Sequence, residues 1–217
     1  MGNMLMNNVL IVGAHFDDAE LGVGGTAAKL AADGKNVYKL TLTNNVTKFD
    51  AMNINVAYES SYMQSAKACE VLGVKEITDF VPVECSKLEY TQEIMQRVEK
   101  YIYDLNIDTI FMHFNADMNT DHVAASRICL TAGRHCRNII QFQSNGYVLE
   151  NVYYPTFFVD VSDYIEKKRK ALACYGAEHN RFDRLFEASI ERCHIWGYAN
   201  KVEYAEGFNI IKMLLKD

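Results

Sequence analysis

The stretch from Val9 to Thr26, VLIVGAHFDDAELGVGGT, most constrains what this chain can fold into. An apolar run bounded by turn signals reads as a strand buried on both faces, and this one ends on His15 followed by the adjacent carboxylates Asp17 and Asp18. The glycines at 22, 24 and 25 read as a turn that leads into a helix from Thr26. The polar group therefore falls at a strand's carboxyl end, the edge where open α/β sheets bind ligands.

Strand and helix patterns alternate beyond it. Asn36 to Thr43 reads as a second strand, and Val56 to Leu72 as a helix closed by Gly73. A short strand is expected near Glu76 to Val81. Leu88, Thr91, Ile94, Met95, Val98, Ile102 and Leu105 then recur at helical spacing, and Asp108 to Phe114 reads as a further buried strand. The last third continues with a strand around Val152 to Val161, helical segments between Asp163 and Ile195, and an apolar run from Ile210 to Leu215. This series predicts an α/β, Rossmann-like three-layer fold with a mostly parallel sheet. With 217 residues, two prolines and nothing resembling a linker or repeat, a single domain over residues 1–217 is expected.

A second polar cluster follows the Asp108 to Phe114 strand. Between His113 and Ser126 the chain supplies His113, Asp117, Asn119, Asp121 and His122, then an alanine-rich run suited to a helix with Asp121 near its first turn. Two such clusters at neighbouring strand ends can face one pocket. A hydrolytic zinc site needs a few His or carboxylate ligands and an open position for water. His15, one of the two aspartates and His122 meet that demand, and the remaining aspartate is placed to act as a general base.

Several function classes are disfavoured. The formal charge is -6, and no basic run is interleaved with aromatics, so nucleic acid is not an expected partner. The cluster Lys167 to Lys170 reads as a solvated helix face. The apolar run near the N-terminus is too short for a signal peptide or a membrane span, and Met6 breaks the myristoylation pattern, so a cytoplasmic protein is expected. The 6 cysteines lack CxxC spacing and read as free thiols; Cys129, His135 and Cys136 match no zinc pattern. A nucleotide-binding reading of GVGGT fails on spacing, because no glycine lies between Gly13 and Gly22.

His15-Phe-Asp-Asp-Ala-Glu20 with Gly22-Val-Gly-Gly-Thr26 resembles the HPDDE and Gly-Gly-Thr signature of the LmbE-like, PIG-L zinc-dependent deacetylases. Asp121-His122 resembles the family's second motif, ACEVLGV from Ala68 its AxxLGV segment, and YAEGF from Tyr204 its closing AExF segment. The resemblance implies zinc held by His15, Asp18 and His122, with iron(II) also acceptable to such ligands, and Asp17 as the general base. It implies hydrolysis of an N-acetyl group from an N-acetylglucosamine-type amino sugar or its glycoconjugate. A homo-oligomer is left open.

The departures carry weight too. Phe16 replaces the usual proline, which changes loop stiffness more than chemistry. Asn119 stands three residues before His122, where many family members have a second histidine that stabilises the oxyanion. An amide donates a hydrogen bond but cannot become a cation. A weak or inactive relative that binds a sugar or metal is therefore the alternative function, and His113 and His194 are the candidate replacement donors. Asp121 either complements a helix N-terminus or orients a neighbouring imidazole, Asp117 and Asn119 either shape a turn or serve the site, and Glu206 either packs or contacts substrate. Substrate choice is expected in Asn44 to Asn55 and around Arg134 to Gly146, with Arg134 and Arg137 either plain surface charge or contacts to a hydroxyl-rich or anionic substrate, and Phe49, Tyr147 or Trp196 as stacking rings.

Overall fold

The computed structural model describes residues 3–4, 6–147, 151–177, 179 and 184–216. Its core is a 7-stranded sheet. In chain order the strands are β1 (Asn8–Gly13), β2 (Asn36–Thr41), β3 (Lys75–Glu76), β4 (Thr109–His113), β5 (Asn138–Phe142), β6 (Phe157–Asp160) and β7 (Ala205–Lys212). They lie in the order β3-β2-β1-β4-β5-β7-β6. The first five run parallel, and β7 joins β5 antiparallel and carries β6 antiparallel at the edge.

Helices α1 (Asp18–Ala32), α2 (Tyr58–Leu72), α3 (Gln92–Asp104), α4 (Thr120–Ala132), α5 (Ile165–Leu172) and α6 (Leu185–Ala199) form the outer layers. Alternation along β1 sorts the layers: Leu10 and Val12 pack with α3 and α4, whereas Val9 and Ile11 pack with α1. A strand covered on both faces must be apolar throughout, as β1 is. The expected three-layer, mostly parallel architecture is therefore present. Gly73 sits at φ +76 as the C-cap of α2, where a side chain would be strained. No described helix is long and apolar enough to cross a membrane.

Several boundaries differ from the sequence expectation. β3 is shorter than Glu76 to Val81, and the Val152 to Val161 strand narrows to β6. The strand β5 lies in a segment to which the sequence assigned no strand, and the helical reading between Asp163 and Ile195 crosses residues 178 and 180–183, which lie outside the described set. Above all, α1 begins at Asp18 and runs through the glycines instead of starting at Thr26. They are helical because neighbours approach closely: a Cβ on Gly25 would lie 2.8 Å from Val161 Cβ, and one on Gly24 3.1 Å from Lys168 Cγ. GVGGT is thus helix interior, which removes the phosphate-cradle reading.

Lys168 corrects a second expectation. Lys167, Arg169 and Lys170 are exposed, but Lys168 is buried and its Nζ donates to Glu206 Oε1 at 2.7 Å and to the Leu21 carbonyl at 2.8 Å. Glu206 in turn accepts the Gly25 and Thr26 N–H groups at 2.9 and 2.7 Å. Glu206 therefore has a capping role inside α1, away from substrate. Glu206→Ala leaves Lys168 as an uncompensated buried cation and is expected to cost about 3–5 kcal/mol in urea unfolding. A loss below about 1 kcal/mol would show that water reaches Lys168.

Candidate metal centre and cavity

β1 and β4 are adjacent parallel strands, and the loops leaving their carboxyl ends lie side by side. His15 and Asp17 sit between β1 and α1, Asp18 opens α1, and Asn119 and His122 belong to the start of α4. These five line one cavity of about 410 Å³. The side chains read as a group from sequence are thus brought together in space.

The geometry of the two imidazoles is informative. His15 Nε2 lies 3.2 Å from Asp121 Oδ2, and His122 Nδ1 lies 3.1 Å from Asp117 Oδ2. Each carboxylate accepts an N–H, which leaves the other ring nitrogen as a bare lone pair on the neutral ring. Those remaining nitrogens, His15 Nδ1 and His122 Nε2, are 3.1 Å apart. Asp18 Oδ1 is 3.2 Å from His122 Nε2, and Asp18 Oδ2 is 3.4 Å from His15 Nδ1. Two lone pairs and a carboxylate converging this closely repel unless a cation sits among them.

A proton is one such cation. Burial opposes charge on His122, but the Asp18 charge and the Asp117 and Asp18 hydrogen bonds outweigh it and hold its pKa up at about 9. His15 is likewise raised, its burial outweighed by Asp121 and Asp18. Two imidazoliums in this contact would repel, whereas one divalent ion satisfies all three groups. His15, Asp18 and His122 offer ligand atoms within 4.8 Å of one another, and this donor set fits zinc or another divalent ion.

A second set, His15, Cys85 and Asp121, meets the same distance criterion. Asp121 is less available, because its oxygens also accept the Ser86 and Leu88 N–H groups at 2.7 and 3.1 Å. Asp18 Oδ1, by contrast, has no described hydrogen-bond donor besides His122. Burial raises the Cys85 thiol, but its contact with His15 brings it below the ordinary thiol value.

The two aspartates after His15 differ in environment. Asp18 is buried, yet His122 and His113 hold its carboxyl well below the usual range. Asp17 lies on the cavity wall, and burial followed by the Asp18 charge raises its pKa. Asp17 is the better proton acceptor of the two, because a higher pKa means a stronger base.

Other candidates find different places. Asn119 lines the cavity, but its Oδ1 caps α4 by accepting the Asp121 and His122 N–H groups, leaving only its NH2 for another partner. Asp121 orients His15, resolving its two readings. Asp117 is not merely a turn former: it accepts from His122, from the Asn119 N–H and from Asn145 Nδ2. His113 is buried behind Asp18, with Nε2 3.0 Å from Ala14 N and 3.1 Å from Asp18 Oδ2, and does not line the cavity. Burial first, then the His122 charge, lower its pKa to about 4. Its Nε2 accepts the Ala14 N–H, and the ring stands outside the cavity in which an oxyanion donor would sit.

His194 is exposed and rests on Tyr204, away from the cavity. Arg134 pairs with Glu99, while Arg137, Phe49 and Trp196 are also absent from the described lining. Tyr147, Asn45 and Thr47 do line it, so parts of both loops chosen from sequence reach the site. The sequence reading missed Ser86 and His179 on the wall, whereas Ser144 and Asn145 fall within the Arg134 to Gly146 segment it chose. His179 Nε2 lies 2.9 Å from Asn45 Nδ2, and nothing local in the sequence marks it.

The floor beneath Asp17 is tied down from below. Lys39, Glu20 and Tyr175 are buried, and the Phe16 carbonyl accepts from Lys39 Nζ at 2.5 Å and Tyr175 OH at 2.6 Å. Lys39 Nζ also donates to both Glu20 oxygens at 2.7 and 3.0 Å. The Phe16 ring packs against Tyr58 and Tyr62. These tethers supply the stiffness that a proline would give. Lys39→Met should cost about 3–5 kcal/mol in urea unfolding by stranding Glu20, and adding Glu20→Leu should recover most of it. An undiminished loss in the double variant would mean that the Phe16 tether, not the ion pair, carries the effect.

Comparison with known proteins shows the family. The PIG-L family model, GlcNAc-PI de-N-acetylase, matches residues 10–133, a span that holds both polar clusters. Diacetylchitobiose deacetylase from Thermococcus kodakarensis is 25% identical over 232 residues, covering 95% of this chain and 84% of the relative. The structure of N,N'-diacetylchitobiose deacetylase from Pyrococcus horikoshii superimposes with TM-score 0.77 at 20% identity, over 94% of this chain and 84% of that one. The 4-carboxy-2-hydroxymuconate hydratase of Pseudomonas putida superimposes with TM-score 0.78 at 16% identity, over 98% and 99%. Likeness at these structural identities shows the fold alone, and that fold carries more than one chemistry.

Proposed function

The chain belongs to the PIG-L family of de-N-acetylases and is a hydrolytic N-deacetylase; from that premise we propose that it removes the N-acetyl group from an N-acetylglucosamine-type amino sugar or its conjugate. The observation that carries the reading is the 3.1 Å approach of His15 Nδ1 and His122 Nε2 beside Asp18, which calls for a cation next to Asp17. His15, Asp18 and His122 would hold a divalent ion, zinc or iron(II). When bound there, such an ion supplies Lewis acidity, polarising the amide carbonyl and bringing the pKa of water toward about 7.

The chain's own groups do the rest. Asp17 accepts the proton of the attacking water and returns it to the departing amine nitrogen, so one carboxylate serves both halves of the reaction. Water attack forms a C–O bond at the acetyl carbon, and collapse breaks the C–N bond, giving acetate and a free amine. The NH2 of Asn119, on the same cavity wall, is the amide donor for the developing oxyanion. Asp121 and Asp117 fix the ring orientations of His15 and His122.

In acetate-release assays on N,N'-diacetylchitobiose, Asp17→Asn is expected to lower kcat by about 10²–10⁴-fold while binding one divalent ion as the parent does. Full activity in that variant would remove Asp17 from the base role. Asp117→Ala and Asp121→Ala should each weaken zinc binding by about 10–100-fold in calorimetric titrations, with the fold retained. Unchanged affinity in both would show that the ion sits elsewhere.

A further inference from the structure

The charges around the cavity narrow the substrate class. Among the described residues, no lysine or arginine lines it. Its walls offer carboxamides and hydroxyls, Asn45, Thr47, Ser86, Ser144 and Asn145, besides the histidines and the two aspartates. The buried cations nearby are engaged elsewhere: Lys39 by Glu20 and Lys168 by Glu206. The third, Arg192, donates to the Gln143, Ser144 and Asn145 carbonyls at 2.9, 3.3 and 2.7 Å, shaping the wall from behind.

A bound ion does not reverse this balance. Its two positive charges are matched by Asp17 and Asp18, while Asp117 and Asp121 lie one imidazole further out. Neither helix N-terminus at the site favours an added anion. The Asn119 side chain caps α4, and the start of α1 already carries the Asp17 and Asp18 carboxylates. An anionic group entering here would be desolvated against carboxylates with no lysine or arginine among the described lining residues to meet it.

One aromatic face completes the site. Tyr147 lines the cavity and is 50% exposed, so its ring is open to a ligand at the rim; it is the single Phe, Tyr or Trp among the described lining residues. Its segment is held in place, since the Tyr147 carbonyl accepts from Gln143 Nε2 at 3.2 Å and Arg192 fixes the preceding carbonyls. A ring with a polar hydroxyl presents an apolar platform and a hydrogen-bonding tip, suited to the face and edge of a pyranose.

We infer that this cavity selects an uncharged, hydroxyl-rich N-acetylated saccharide stacked on Tyr147, and discriminates against sugars bearing phosphate or carboxylate. The inference rests on the deacetylase reading for its reaction and on the lining residues for its selectivity. The zinc-loaded full chain is assayed for acetate release from N,N'-diacetylchitobiose, N-acetylglucosamine 6-phosphate and N-acetylglucosamine 1-phosphate. The neutral disaccharide should show kcat/KM at least about 10-fold above either phosphate. Tyr147→Ala should raise KM for it by about 10-fold with little change in kcat, and Tyr147→Phe should keep the parent KM.

A phosphorylated sugar hydrolysed as well as or better than the neutral one overturns the inference while upholding the deacetylase reading. An unchanged KM in Tyr147→Ala overturns the stacking assignment. If no substrate releases acetate, it is the deacetylase reading that fails, and selectivity is then read from binding. Thermal protection by chitobiose but not by glucosamine 6-phosphate supports the uncharged-saccharide site, and the reverse overturns it.

Discussion

Two buried lysines hold opposite ends of one short turn, and the site depends on that turn staying where it is. Lys39 grips the Phe16 carbonyl and Glu20; Lys168 grips the Leu21 carbonyl. Between these anchors lie Asp17 and Asp18, one on the cavity wall and one turned toward the histidines. A buried ion pair is weak evidence of stability, because desolvation offsets much of the attraction. Its directional demands are stronger evidence of geometry. Each ammonium has donors to satisfy, and here backbone carbonyls of the turn complete the set. Adjacent carboxylates can then keep distinct environments, one lowered in pKa and one raised, although their backbones are neighbours.

The same economy of contacts governs the two imidazoles. Asp121 follows Asn119 by two residues and reaches His15, while Asp117 precedes it by two and reaches His122. Three alternate positions of one loop and helix start thus orient both imidazoles and cap α4. That arrangement makes Asn119 a poor stand-in for a cationic donor but a good organiser. Its oxygen is committed to the backbone, and its NH2 faces a chemistry for which a neutral donor is weaker than an imidazolium.

What the sequence revealed and what it hid follow from the range of the interactions. Buried parallel strands announce themselves locally, as at Val9 to Val12, and so does a helix end with glycine at positive φ, as at Gly73. His15, the adjacent aspartates and His122 were legible as polar groups following strand ends, whereas the choice of Asp18 over Asp17 as ligand came from the family resemblance. The start of α1 was not, since three glycines in five residues mimic a turn until Val161, Lys168 and Phe142 are seen pressing on them. Strand β5 was hidden by two polar residues within it, Asn138 and Gln141, whose burial rests on neighbours distant in sequence. Lys168 looked like one of four equivalent cations, and only the position of Glu206 distinguishes it. His179 and Arg192 act across the fold through contacts with no local pattern.

Glu206 also ties the history of the chain to its function. The N–H groups of Gly25 and Thr26 are met by a carboxylate 181 and 180 residues later, on β7. Proteins emerge from the ribosome N-terminus first, at about 5–20 residues per second. The helix that carries Asp18 therefore waits for the synthesis of β7 before it meets the acceptor that completes it. In a nascent chain of this design the turn holding Asp17 and Asp18 gains its full support late, when β7 docks.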